Sequence, residues 1–352
     1  MSNQPPSSEV PQGAIRLNTD SQKLEFYAQD QWFEMATDIS TFSEGASTSG
    51  DTPVGIRGVY AGGSETPSGN SSNEIQGFTI STQGNTFDFG DLTVARFPAS
   101  MASRTRGVFS SGSPGAGPYY TNHTDFITIS STGNATDFGD NATVVSGPFG
   151  ISNSTRGLIM GGSEPGGATN TINMITISQT GNSVNFGDMA NKSNDTRGAC
   201  ASPSRGLYFG GVTPSITNAI GFITIATLGD AQDFGDLMDT ANERGMGCSN
   251  AIRGLVAGGQ TPITTSNIDS VMIASKGNSI NFGNLSASNV NAGTNAATNS
   301  PVRAVFSGGQ APSNTNAMQY IAIATGGDTS DFGDLVRAQR GGAAVSNGHG
   351  GL

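Results

Sequence analysis

Residues 197–237 read RGACASPSRGLYFGGVTPSITNAIGFITIATLGDAQDFGDL, and this stretch decides the fold. RGACAS predicts a short strand, a, which turns at Pro203 and Ser204. GLYFGG follows as strand b, with β-favouring Leu207, Tyr208 and Phe209. VTPSITN is a loop broken by Pro214. AIGFITIAT is strand c, in which Phe222, Thr224 and Ala226 alternate with Ile223 and Ile225. Gly229-Asp230 is the next turn, and AQDFGDL is strand d. The pattern recurs six times at 48–50-residue intervals, with Phe89, Phe138, Phe186, Phe234, Phe282 and Phe332 as anchors. Arg57, Arg106, Arg156, Arg205, Arg253 and Arg303 open the six b strands. Six copies of a four-strand unit predict an all-β chain folded as a six-bladed β-propeller.

Two further signals support that class. Gly-Asn or Gly-Asp pairs, from Gly84-Asn85 to Gly327-Asp328, lie between strands c and d and predict two-residue hairpin turns with positive φ. Gly doublets such as Gly210-Gly211 end strand b, with Ser111-Gly112 in the second copy. Closure is also legible. The chain ends RGGAAVSNGHGGL, which has the form of strand a, whereas the first copy begins near strand b. Ala343, Ala344 and Val345 are therefore expected to complete the blade begun by residues 56–92, covering an open edge.

Composition narrows the function. With 16 Lys and Arg against 27 Asp and Glu the net charge is −11, which argues against nucleic acid and against anionic membrane surfaces. No apolar run is long enough for a membrane helix, and MSNQPPSSEV lacks the form of a secretory signal. The Asn-x-Ser/Thr triplets at Asn122, Asn134, Asn141, Asn153, Asn191 and Asn194 are therefore expected to carry no sugar. Cys200 and Cys248, at one phase of adjacent copies, read as small buried residues and not as a disulfide.

Catalytic and metal signals are weak. Six F-G-D or F-G-N triplets without a Gly-rich loop or Lys strand are not a kinase magnesium motif. Their carboxylates (Asp91, Asp140, Asp188, Asp236, Asp334) are expected to accept hydrogen bonds from turn amides or the repeat Arg. His123 and His349 fall in different copies and lack zinc spacing. Glu65, Glu164 and Glu243 are scattered over different blades and offer no readable carboxylate pair. The expectation is no catalytic residue, metal or cofactor. The second copy has the most distinctive b–c loop, SPGAGPYYTNHTD, and Tyr119, Tyr120 and His123 are candidates for glycan or protein contact. Phe97 and Phe149, in d–a loops on the same face, are secondary candidates.

Residues 1–45 do not fit the repeat, and SEGASTSGD reads as a flexible connector, with residues 46–54 the linker and 55–352 the propeller. GAIRLNTDSQKLEFYAQDQWFEMA predicts three short strands. Their apolar set is Ile15, Leu17, Phe26, Tyr27, Trp32 and Phe33.

Two resemblances attach to these residues. The run YIAIATGGDTSDFGDLVRAQRGGAAVS (residues 320–346) resembles a kelch repeat, with Phe where kelch has Trp, and residues 55–352 carry that likeness. The segment G-x-I-R-x-N-T-D, K-x-E-F-Y, Q-W-x-E resembles a short module of bacteriophage tail-fibre and other virion proteins. The F-G-D and Gly-Gly repeats look like those of structural proteins of marine phages, cyanobacterial phages above all. The resemblance implies a non-enzymatic virion protein: a tail fibre, a tail-associated part or a capsid decoration. Residues 1–45 would dock it to other virion proteins as an oligomer. The propeller loops would meet a host surface glycan or protein. The other readings are a soluble carbohydrate-binding lectin and a glycan-cleaving propeller enzyme.

Overall fold

The computed structural model describes residues 10–11, 13–18, 23–28, 31–34, 57–65, 70–115, 117, 119–193, 198–212, 215–238, 245–260, 264–286, 296–310 and 313–352. The chain divides into two compact units, Met1–Asp51 and Thr52–Leu352. Among the described residues every regular element is a strand.

In the first unit Ile15–Asn18, Lys23–Ala28 and Gln31–Glu34 form an antiparallel sheet with the middle strand central. Its registers pair Leu17 with Leu24 and Phe26 with Phe33. Tyr27 is buried, with its ring 5.2 Å from that of Trp32. Arg16 lies 4.0 Å over the Trp32 ring and bonds Glu25 at 2.7 Å. Ile15 is 64% exposed. The side chains of Leu17, Phe26 and Phe33 lie outside the described residues, as does the connector at 46–54.

The second unit is a six-bladed β-propeller. Blade two is Ala99–Ala102, Arg106–Gly112, Thr121–Thr128 and Thr136–Val145, strands a to d from the axis outward. Blade four, from the stretch that opened the argument, is Gly198–Ala201, Arg205–Val212, Ile216–Thr224 and Gln232–Asp236. Strands b and c run further into the b–c loop than the sequence implied. Blade one is closed as expected: Ala343–Ser346 pairs with Arg57–Ala61, which pairs with Glu74–Thr79 and then Phe87–Asp91. A second closure was not foreseen. Ser64–Glu65, in the b–c loop of blade one, pairs with Gln339 and Arg340 at the far end of blade six's outer strand, Ser330–Arg340.

Each blade interlocks with the next by a repeated set of contacts. The repeat Arg reaches across a seam to carbonyls that end strand c of the following blade. Arg106 Nη1 bonds the Ile177 carbonyl at 3.1 Å, and the ring closes with Arg303 Nη1 on that of Ile80 at 2.7 Å. The F-G-D triplet works differently from expectation. Its Phe is core, and its Gly lies where a Cβ would overlap the next blade's c–d connection, as Gly90 does with Gly133. Its Asp contributes the backbone: Asp91 N–H donates to Asn134 Oδ1 at 3.1 Å, and the other five seams repeat this bond. Of the two roles the sequence left open for the carboxylate, pairing with the repeat Arg is not the one these seams use, because the Arg is committed to carbonyls.

The Gly-Asn pairs are likewise not two-residue hairpins. Strand c of blade one ends at Thr79 and strand d begins at Phe87. Gly84 has φ +148°, and the only non-Gly residue with positive φ among those described is Ser111. The pair instead extends the preceding blade's outer strand, as Gly133 N–H donates to Phe89 O at 2.8 Å.

Candidate functional site

The b–c and d–a loops share one end of the ring, where Gly63 N–H donates to Arg96 O at 2.9 Å and Phe97 N–H to Ser113 O at 3.0 Å. The a–b turns and c–d connections share the other, where Ile129 N–H donates to Thr105 O at 2.9 Å. The first end carries the loops that differ between blades and is the candidate contact face.

At that face Tyr119 is 64% exposed and Tyr120 half-buried. His123 is exposed, but it sits on strand c of blade two beside a register shift and not in a loop. Phe97 is half-buried, next to Gly341 of the d–a connection that closes the ring. Phe149 is a correction. It is fully buried at the start of an inner strand, its ring 5.9 Å from that of Tyr208, so it packs the core and offers nothing to a ligand. Ser111 takes the position where other blades have the first Gly of the doublet, at φ +55° against +57° to +69° for those glycines. A Ser there costs about 1 kcal/mol, and its Oγ accepts from Asn141 Nδ2 at 3.0 Å.

Beneath these loops lies a pair that sequence reading missed. Arg96 and Asp125 form an ion pair of 2.9 Å with side chains 0% and 1% exposed. Arg96 also donates to the Val94 and Phe109 carbonyls, and Thr93 donates through both N–H and hydroxyl to Asp125. Burial pulls the Arg96 guanidinium below its ordinary value, and Asp125 opposes the shift. A signal was present: strand c has a polar residue at one buried position in five copies, namely Gln76, Asp125, Asn173, Asp269 and Gln319. Most of them meet a recurring need, the N–H two residues after the F-G-D Asp. Thr93 N–H is taken by Asp125, Ser286 by Gln319 and Val336 by Gln76. The fourth copy has Gly221 there because the Tyr208 ring fills its space, and Tyr208 OH accepts from Ala190 N–H at 3.3 Å.

Of the three loop carboxylates, Glu65 is committed: Arg337 bonds it at 3.0 Å and Ser72 Oγ donates to it at 2.6 Å. Glu74 joins the same group, 4.0 Å from Arg337, with its carboxyl raised by burial. Glu164 lies on a separate two-stranded hairpin, and Glu243 is outside the described residues.

The inner strands enclose a narrow axial cavity of about 60 Å³. Small residues line it: Ala102, Gly150, Ala199, Gly247 and Ser346 are examples. Cys200 and Cys248 are free and buried there, and burial pushes the Cys200 thiol up to about 12. The chain's end stops this channel. His349 Nε2 donates to Ala102 O at 2.8 Å, and its Nδ1 accepts from Gly351 N–H at 3.1 Å. Gly350 and Gly351 lie where a Cβ would overlap carbonyls of Ala201, Ser249 and Ser152. Among the described residues no group of three or more His, Cys, Asp or Glu is placed to hold a metal. No protein-family model matches this chain, and no curated protein is similar to it.

Proposed function

We propose that this chain is a structural component of a virus particle that works by contact. Residues 1–45 dock it to other virion proteins, and the loop end of the propeller meets a host surface or a neighbouring virion protein. One observation carries the reading. A small three-stranded unit precedes a ring whose chain ends are interlocked, so one part can anchor while the other displays loops on a rigid support. The resemblance of GAIRLNTDSQKLEFYAQDQWFEMA to a tail-fibre module, and of the F-G-D repeats to marine phage proteins, supplies the setting. Tyr119 and Tyr120 are the contact residues on this reading, flat rings with polar tips at the loop end.

Mass spectrometry of purified particles, with antibody labelling in the electron microscope, tests it. Label on a tail or fibre tip makes host contact the working role, and Tyr119→Ala should then lower adsorption. Label over the capsid makes decoration the role. Absence from particles overturns the proposal and leaves a lectin or a glycan-cleaving enzyme to be tested by glycan binding and turnover.

A further inference from the structure

The six repeats are internal controls for one another, and blade five stands apart. Every other outer strand carries an exposed Asp: Asp88, Asp137, Asp188, Asp233 and Asp331. The outer strand of blade five reads INFGN, Ile280–Asn284, with Asn281 and Asn284 at the two Asp positions. The one carboxylate between Met246 and Asn284 is Asp269, which is 0% exposed. The exposed charge of this blade is Lys276, whose Nζ lies 4.8 Å from the centre of the Phe222 ring of blade four.

Exposed apolar side chains accompany the missing charge. Met272 lies opposite Arg253. Four sister blades have Thr79, Thr128, Thr176 and Thr224 at that register. Ile252 precedes the repeat Arg where blades two to four have Thr105, Thr155 and Ser204 and blade six has the smaller Val302. Ile280 opens the outer strand. Ile252, Met272 and Ile280 are 60%, 45% and 66% exposed. The Ile252 carbonyl accepts from Ile273 N–H at 2.9 Å, so Ile252 and Met272 are neighbours at one end of the blade. Single exposed apolar residues are ordinary. Three on one blade, together with loss of both Asp residues, match the core of an interface, where charge is depleted and Met enriched.

We propose that this corner of blade five is a self-association surface, to which a second copy of the chain docks through its own blade five across a two-fold axis. Charge selects the occupant. The chain carries −11, so two copies meeting through any other outer strand set carboxylate against carboxylate. Blade five against blade five avoids this and makes the patch self-complementary. A basic partner would be drawn to the five acidic blades instead.

Light scattering and sedimentation of the full chain over a concentration series test the proposal. A concentration-dependent dimer is expected. Ile280→Asp should weaken it at least about tenfold. Asn281→Asp, which installs the residue that blade two carries at this register, should weaken it in a salt-dependent way. Val184→Asp, on the outer strand of blade three, should leave it unchanged. A monomer at every concentration overturns the proposal. So does a dimer indifferent to both blade-five variants, or one whose cross-links map to residues 1–45 or to another blade.

Discussion

The seam between blades one and two and the seam between blades six and one meet the same requirement with different chemistry. Each must satisfy the backbone N–H two residues after an F-G-D Asp, and in both the acceptor comes from strand c of the next blade. The first seam uses a charge: Asp125 accepts from Thr93 at 3.2 Å and is neutralised by Arg96. The second uses a neutral amide: Gln76 Oε1 accepts from Val336 N–H at 2.8 Å and from the Thr86 hydroxyl at 2.7 Å, and Gln76 Nε2 donates to Gln339. The closing seam adds the Ser64–Glu65 strand pair and the Arg337–Glu65 contact, so its cohesion is distributed. The ring needs an acceptor at this position but no particular acceptor. A seam that chose a charge adds to the contacts every seam repeats a buried pair in which each member depends on the other.

The largest effect that would break this comparison is at Asp125. Asp125→Ala leaves Arg96 buried without its partner, and should cost about 3–5 kcal/mol of unfolding free energy. Gln76→Leu removes a neutral partner in the closing seam and should cost about 1–3 kcal/mol. Equal losses in urea unfolding would show that the two seams do not differ as argued.

Acid probes the closing tail. Burial holds the His349 imidazole down at about 4, against 6.5 for a free histidine, and Arg104 pushes the same way. The folded protein thus resists a proton that the unfolded chain accepts. Stability is full above about pH 6.5 and is lost as pH falls towards about 4, by about 2 kcal/mol at pH 5. His349→Gln should remove most of this dependence in melts at pH 7 and pH 5. An unchanged dependence would free the tail of that role.

The smallest effect is at Arg337. Its side chain is 55% exposed, so Arg337→Ala should change stability by about 1 kcal/mol or less despite the Glu65 contact. A larger loss would mean that the closing seam, too, leans on one ion pair.

How far the chain could be read follows from the range of the forces involved. Alternation of apolar residues and the 48–50-residue period are local and repeated, so the strands, the blade count and the closure by Ala343, Ala344 and Val345 were legible. The meaning of F-G-D was not. Phe is core in any blade, but why Gly follows it, and why the Asp serves through its N–H, depends on a turn that belongs to the next blade. Phe149 follows Gly147-Pro148 in a stretch that reads as a d–a loop, and only packing against Tyr208 puts it in the core. Composition and period determined an acidic six-bladed ring with its ends joined, since burial of an alternating face is a property of each segment alone. The Arg96–Asp125 pair, the Ser64–Glu65 closure and the glycine-tipped axial plug were decided by tertiary structure. Each joins residues far apart in the chain, and a contact between two segments is written in neither of them.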